Sequence, residues 1–459
     1  MEALEKRSTR YITAASSIGN LIDWYSFSVY GSLSVVLAHV FFPTSNTITA
    51  LLATFLVFGV GYLFRPLGAL VFGHYGDRIG RKPVFIATLV GSGIATGLIG
   101  LLPTAETLGI GAAFLLTALR VSQGFFVGGE YGGAATYISE DVPPNRIGYH
   151  TSFLQSTFAG GIILSIAAIL PLTLIYGNSG LQAFAWRIPF LLSFLLLIVG
   201  VIMRLKLSES KEFKLSQTSG KISKTPIFDT FKKYPKEVFL LGLVGMAAGS
   251  AVYGYVGALY VLVYIQSVLK VGYALSYEIF LPAIISVVFF MIIFGWLSDK
   301  IGRKTVFVLG QFVGAVVVIP LFLGLNFANS ISSYPLLVLF AILVEVPYGM
   351  MQGTLAAFLL TLFPTAVRYT GFSFPYQMGL GIFGGFQPYI ATYLLAVLGG
   401  VIYASNGSIV SYTRPWIGLI YTIAGTAIGG IVLLIFAKEK NLSKVASLDD
   451  AIYDTGKIS

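Results

Sequence analysis

The chain has 459 residues, of which 56% are hydrophobic and only 10% charged, against about a quarter charged in a typical soluble domain. With no cysteine and three scattered histidines (His39, His74, His150), the composition excludes a disulfide framework, a thiol nucleophile and a metal site of the cysteine–histidine kind. The net charge of +10 raises nucleic acid as a partner, but the placement of that charge points to a lipid bilayer instead.

A membrane-crossing helix needs about 20 mostly apolar residues. Twelve such stretches succeed one another, at 12–39, 48–73, 84–103, 109–139, 149–176, 186–205, 237–266, 277–297, 305–326, 335–362, 370–398 and 414–437. The first follows Lys6, Arg7 and Arg10 and lacks the short apolar core and small-residue cleavage site of a secretory signal, so it reads as a membrane helix. The segment 206–236 is polar and basic and parts six stretches from six. The expected fold is an all-α membrane protein with a first bundle over 1–205, a linker over 206–236, a second bundle over 237–437 and a polar tail over 438–459.

With both termini placed inside, 24 of the 29 Lys and Arg fall on cytoplasmic segments, and the opposite loops hold only Arg187, Lys270 and Arg414. That asymmetry follows the positive-inside rule and accounts for the net charge without nucleic acid. A cell-membrane location follows, with the lipid bilayer as partner and a monomer as the expected unit.

Residues 73–82 read GHYGDRIGRK and residues 295–304 read GWLSDKIGRK. Asp77 and Asp299 are 222 residues apart, as are Arg81 and Arg303, and the same offset carries Arg146 onto Arg368. Two loops agreeing on one register indicate an internal duplication. Parallel repeats of this kind characterise one broad transporter architecture, with substrate held between the halves.

The G-x-x-x-D-R/K-x-G-R-K loop resembles the signature loop of the major facilitator superfamily. Within it, the runs GNLIDWYSFSVYG (19–31), GYLFRPLGALVFGHYGDRIGRK (61–82), RVSQGFFVGGEYGGAATYISE (120–140), WRIPF (186–190), IFGWLSDKIGRK (293–304) and FPTAVRYTG (363–371) resemble the metabolite:proton symporters. The resemblance implies proton-coupled uptake of a small organic acid, amino acid or compatible solute, without naming one, and no cofactor. Two departures matter. Ser26 stands where the family usually has a second acid in the first helix, and Leu360-Thr361-Leu362 replaces the acid usually found just before Phe-Pro-Thr.

Ionisable groups inside a membrane are costly, at roughly 2.5–3.5 kcal/mol for a centred charge on insertion scales, so each is a functional candidate. Asp23 shares a helical face with Asn20, Phe27 and Tyr30 and is read as a proton carrier facing a cavity, or else as a structural acid bonded to a nearby Ser or Asn. Arg120, with Gln123 one turn on, can hold a substrate carboxylate bidentately, can pair with a protein carboxylate, or can be structural. Glu130 is a further proton candidate, although pairing with Arg65 is the plainer reading for both. Glu345 shares a face with Tyr348 and Gln352 and is read as a second proton site, a substrate-facing group, or an acid packed on a tyrosine. The substrate-binding candidates are therefore Asn20, Tyr30, Arg120, Gln123, Tyr348 and Gln352. Aromatic stripes such as Tyr253, Tyr260 and Tyr264, or Tyr376 with Gln387, are read mainly as packing.

The duplicated loops suggest a cytoplasmic gate of Asp77, Arg78, Arg81, Glu140 and Arg146, matched in the second half by Asp299, Arg303 and Arg368. Because Thr361 replaces the expected acid, the second cluster is expected to be the weaker, and proton handling and gating are expected mainly in the first half. The leading reading is proton-coupled symport of a small metabolite bearing a carboxylate. An uncoupled facilitator, suggested by Ser26, and an efflux antiporter are the alternatives. The fifth stretch, FAGGIILSIAAILP, lacks the G-P-x-x-G-G pattern often seen in efflux members. No nucleophile–base pair, phosphate loop or metal cluster supports an enzyme.

Overall fold

The computed structural model describes residues 9–44, 46–79, 81–129, 131–142, 144–205, 226–363, 368–403 and 409–437. In the first half, α1 (Thr9–Ser32) and α2 (Ser34–Phe41) form a pair bent by 61°. Asn46 then caps α3 (Thr47–Leu63), its side-chain oxygen accepting the N–H groups of Ile48 and Thr49 at 3.0 and 3.2 Å, which satisfies donors that a helix start leaves open. Next come α4 (Arg65–Ile79), α5 (Arg81–Ile99), a short α6 (Ala105–Leu108), α7 (Ile110–Val127), α8 (Tyr131–Asp141), α9 (Ile147–Gly180) with a π turn at Leu181–Ala185, and α10 (Arg187–Leu205).

The second half begins with α11 (Pro226–Lys233). Its first long helix is irregular: a π stretch (Lys236–Ala248), α12 (Gly249–Tyr255), a second π turn (Val256–Tyr260) and α13 (Val261–Ser267). Then come α14 (Tyr273–Ile301), α15 (Arg303–Ser330), α16 (Tyr334–Leu360), α17 (Arg368–Met378), a π turn (Gly379–Gly384), α18 (Gln387–Leu398) and α19 (Ile420–Phe436). Between α18 and α19 lies an antiparallel hairpin, β1 (Val401–Tyr403) and β2 (Ile409–Tyr412), with Val401 opposite Tyr412. This small β element adds to the all-helical expectation.

Among the described residues, nine helices are long and apolar enough to cross a membrane, or ten if the bent α1–α2 pair is one span. Two further apolar helices, Ile86–Ile99 and Arg187–Ile202, are shorter. Helix pairings repeat between the halves: α1 packs on α9, α5 on α10 and α3 on α7, and in the second half the Lys236–Ala248 stretch packs on α17, α15 on α19 and α14 on α16. Gly302, at φ 103° between α14 and α15, occupies backbone space that glycine enters without penalty, which explains the glycine of the duplicated G-R-K turn.

The glycine-rich run after Arg120 serves close packing. A Cβ on Gly124 would fall 1.6 Å from the carbonyl oxygen of Gly61, so α7 and α3 meet backbone to backbone, as small residues permit in membranes. Gly124→Ala is expected to destabilise by about 1–3 kcal/mol, read as a lower thermal midpoint of the detergent-solubilised protein. Gly272→Ala, where nothing lies within 4 Å of the added carbon, is the control and is expected to leave the midpoint in place.

Candidate functional site

The face of α1 that meets the second half carries Trp24, Phe27, Ser28 and Gly31, which with Tyr62 and Tyr255 border a narrow cleft between the halves. Its free volume is about 20 Å³, room for roughly a single water. Asn20 and Asp23 do not border this cleft, contrary to the cavity-facing position expected for Asp23. Asn20 Nδ2 donates to Thr157 Oγ1 at 2.6 Å. Asp23 Oδ1 accepts from Ser92 Oγ at 3.1 Å, and the cations whose charge reaches it are Arg204 and then Arg65. At 3.6 residues per turn, one position along the helix rotates a side chain by about 100°, enough to carry the acid from the cleft to the interior of its own bundle.

Phe27 carries the densest charge contact. The guanidinium carbon of Arg65 lies 3.9 Å from its ring centre and that of Arg120 lies 4.4 Å away. Arg65 also packs on Tyr62 at 4.0 Å, and Arg120 on Tyr30 at 4.4 Å. Both arginines are buried, Arg120 with no exposed surface. A desolvated cation on an aromatic face gains about 2 kcal/mol or more, which offsets part of the burial penalty. Arg120 donates to Gln123 Oε1 and, at 3.5 Å, to the Phe58 carbonyl. Gln123 Nε2 is anchored on the Ser26 carbonyl at 3.1 Å and Thr96 Oγ1 at 2.7 Å. Among the described residues no carboxylate bonds to Arg120 and its Nε is unbonded. Tyr30 donates to the Thr54 carbonyl at 3.0 Å. Ser26, at the departure from the family pattern, turns its hydroxyl back to the Ile22 carbonyl at 3.0 Å.

In the second half, Gln352 accepts from Gln155 Nε2 at 2.5 Å across the interface, and Tyr131 donates to the same Gln155. Tyr348 meets Phe158 edge-on at 5.5 Å. Glu345, one turn away, is fully buried and points at Gly257 of the π turn: a Cβ there would fall 2.6 Å from its Oε2. Neither carboxyl oxygen has a hydrogen-bond partner among the described residues. The Tyr253, Tyr260 and Tyr264 stripe packs within its own half: Tyr253 donates to the Val344 carbonyl at 3.1 Å and Tyr264 accepts from Asn326 at 2.5 Å. Tyr255 faces the cleft in its place. Gln155 and Tyr255 were not singled out in the sequence; the one signal for Gln155 is an amide in an apolar stretch.

The halves touch along their length. Tyr131 stacks on Tyr376 at 4.4 Å, the Gln155–Gln352 bond lies between, and Tyr277 donates to the Ser32 carbonyl at 2.7 Å toward the other end. Beyond that last contact a pocket of about 380 Å³, bordered by Val35, His39, Thr47, Leu51 and Ser267, opens at the end opposite the duplicated loops.

At the loop end, Asp299 accepts the backbone N–H groups of Gly148 and Tyr149 at 2.9 and 2.8 Å and pairs with Arg303 at 3.1 Å. The carboxylate of one half thus caps the first turn of α9 in the other, where the helix dipole favours negative charge. Arg146 is exposed. Glu130 lies outside the described residues, as do the side chains of Asp77, Arg78, Arg81, Glu140 and Arg368.

Residues 16–388 match the family described as the Major Facilitator Superfamily. The chain is 33% identical over 415 residues to the shikimate transporter of Escherichia coli (strain K12), covering 88% of this chain and 92% of that protein. It is 31% identical over 381 residues to the citrate-proton symporter of Klebsiella pneumoniae, covering 83% and 84%. The solved structure of the proton:xylose symporter XylE bound to 6-bromo-6-deoxy-D-glucose superposes with a TM-score of 0.70 at 16% identity, over 96% of this chain and 98% of that one, a likeness of fold.

The Asp299 cap makes a specific prediction, and the absence of native cysteine gives a clean background for it. Ser152, buried where α9 meets Gly295, is replaced as Ser152→Cys. Adding Asp299→Ala is expected to raise its alkylation rate in detergent about 5- to 10-fold, since losing charge-assisted bonds of about 1.5–3 kcal/mol each loosens the contact. An unchanged rate would show that the cap does not hold the halves together.

Proposed function

This chain belongs to the Major Facilitator Superfamily and resembles its metabolite:proton symporters, and from that premise we propose that it is a secondary transporter importing a small carboxylate-bearing metabolite together with protons. It is a membrane transporter and not an enzyme. The observation that carries the substrate class is Arg120. A fully buried, permanently charged guanidinium with no protein carboxylate among its described partners, and a second guanidinium on the same Phe27 ring, makes the first bundle attractive to an anion. Gln123 fixes the fork, and displacement of the Phe27 and Phe58 rings brings a substrate carboxylate within reach of it.

The relatives' names support this reading: two of them are a shikimate transporter and a citrate-proton symporter. We place twelve spans in the membrane, counting the bent α1–α2 pair and the shorter Ile86–Ile99 and Arg187–Ile202 helices with the nine long ones. Both termini then lie on the cytoplasmic side of the cell membrane, and the duplicated loops and the Asp299 cap lie at the cytoplasmic end. There Asp299 stabilises the state closed to the cytoplasm. The 222-residue offset pairs Asp77 with Asp299 in sequence, and Asp77 is assigned to the same cytoplasmic gate. A membrane potential contributes about 2.3 kcal/mol per net charge per 100 mV, which a proton-coupled importer can use. The second reading, an uncoupled facilitator, is favoured by one observation: Ser26 is a hydroxyl bonded to its own helix where an acid is usual.

Uptake of labelled organic acids, amino acids and betaines into proteoliposomes tests the substrate class. Addition of a transported acid is expected to alkalinise the outside medium. Transport insensitive to both pH gradient and voltage would establish the facilitator. Arg120→Lys keeps the charge but loses the bidentate fork, and is expected to raise the substrate Kd by about 10- to 100-fold, from loss of roughly 1.5–3 kcal/mol of charge-assisted bonding, read by calorimetry on the purified protein. Unchanged affinity would remove Arg120 from the site.

A further inference from the structure

Beyond the first bundle, Glu345 is a buried acid left unsatisfied. It lies in the interior of α16 with no exposed surface, and neither oxygen has a hydrogen-bond partner among the described residues. No described cation pairs with it. The packed neighbours α8, α9, α14, α15, α17 and the Lys236–Ala248 stretch carry charge or histidine in sequence only toward their ends, at Glu140, Asp141, His150, Lys236, Glu237, Glu278, Asp299, Lys300, Arg303, Lys304 and Arg368. The titratable groups whose charge acts with it are Tyr348 on its own helix and Tyr253 on α12, and Tyr255 precedes and Tyr260 ends the π turn that it abuts. An ionised carboxylate without a partner in such surroundings is penalised far more than a neutral acid. Asp23 is also buried, with one oxygen unbonded, but Ser92 donates to its other oxygen and the charges of Arg204 and Arg65 act on it.

The surroundings also supply a route. Glu345 abuts Gly257 in the Val256–Tyr260 π turn, and Tyr255 and Leu259, two positions either side of Gly257, border the cleft between the halves. Inserted π turns are weak points in a helix, common at functional sites. A shift of this turn would uncover the carboxyl to cleft water, while the closed turn buries it.

We propose that Glu345 carries the coupled proton and that the Val256–Tyr260 π turn opens it to, and shuts it from, the cleft. The step balances simply. With the cleft open to one side, the carboxylate takes one proton from water there and becomes neutral. After the halves exchange access, the same O–H bond breaks and the proton passes to water on the other side. The inference rests on the proton-coupled reading above and moves the principal proton site from the first half, where the sequence mainly placed it, to Glu345, which the sequence offered as a second site.

The test uses reconstituted full-length protein and whichever labelled acid of the uptake panel the wild type accumulates. A pH step of one unit supports about tenfold accumulation for one coupled proton, the equivalent of 1.4 kcal/mol. Glu345→Gln, a fixed neutral mimic of the same shape, is expected to abolish that accumulation while exchange of labelled for unlabelled substrate stays within about twofold of wild type. Gly257→Ala, whose added carbon displaces the carboxyl, is expected to slow accumulation while exchange persists. A second readout needs no substrate: dicyclohexylcarbodiimide, which modifies protonated carboxyls in apolar sites, should label Glu345 in the wild type, as read by mass spectrometry of the peptide, and label it less in Gly257→Ala. Accumulation by Glu345→Gln equal to wild type overturns the inference alone, as does loss of exchange in that variant, which would make Glu345 a substrate contact. A Glu345 left unlabelled overturns it too. If the wild type itself shows no pH-driven accumulation, the proton-coupled reading falls first.

Discussion

Among the described residues, the organisation of this protein turns on buried ionisable groups, Arg65, Arg120 and Glu345, that no ion pair satisfies. In the first half two guanidiniums share one aromatic ring, Phe27, and the acid one turn before that ring on α1, Asp23, bonds to Ser92 on α5. In the second half a carboxyl faces a glycine backbone. Water would neutralise such groups cheaply, and the apolar interior cannot. Aromatic faces and single amides such as Gln123 make the excess tolerable without cancelling it. Uncancelled charge beside a cleft is what distinguishes a binding machine from a packed bundle, because a substrate or proton can supply the missing partner.

The duplication places these groups without making them equivalent. The two halves pair their helices alike, and Glu130 and Gln352 correspond in sequence at the 222-residue offset. One position is acidic and the other an amide bonded across the interface to Gln155. The loop ends behave similarly. Asp299 reaches over to the first turn of α9 although the acid expected near Thr361 is absent. The second cluster was expected to be the weaker because an ion pair was counted as lost. Its principal partners are backbone N–H groups, which every sequence supplies, so the missing acid says little about its strength.

Much of the architecture was legible in the sequence because it follows from length and repetition: long apolar stretches, a shared G-R-K turn requiring Gly302, and a basic linker. The buried ionisable residues were legible too, since Arg120 and Glu345 stand out in apolar surroundings. Which way they point was not. In a soluble helix, polar and apolar faces reveal the core, but in a membrane both lipid and interior are apolar, and α1 offers no such contrast. Asn20 and Asp23 were therefore assigned to the cavity, while Trp24, Ser28 and Gly31 border it. The π turn defeats periodicity more directly. An extra residue inserted in one turn rotates every later side chain of the helix, so Tyr264 cannot be placed from Tyr253 by a 3.6-residue period; the stripe packs within its own half, as read, while Tyr255, just before the turn, takes the cleft.

The closed state is held by contacts that are numerous and individually modest. Across the interface the polar ones among the described residues include the Gln155–Gln352 bond, the Tyr277–Ser32 bond, the Asp299 cap and two longer bonds, Gln182 to the Tyr273 hydroxyl at 3.3 Å and Gln377 to the Gly128 carbonyl at 3.4 Å. Neutral hydrogen bonds contribute about 0.5–1.5 kcal/mol each and bonds to a charged group about 1.5–3 kcal/mol. Their sum is several kcal/mol, the same order as the roughly 5.5 kcal/mol of differential binding needed to swing a two-state equilibrium from 1:99 to 99:1. In the proposed cycle a carboxylate at Arg120 and a proton at Glu345 are each capable of a share of that difference, the first by pairing a guanidinium that no described carboxylate pairs, the second by making the carboxyl neutral so that the closed bundle can bury it. Neither alone need exceed it. On these magnitudes the cleft can stay shut when empty and change access when both sites are occupied, which is the condition for transport to be coupled.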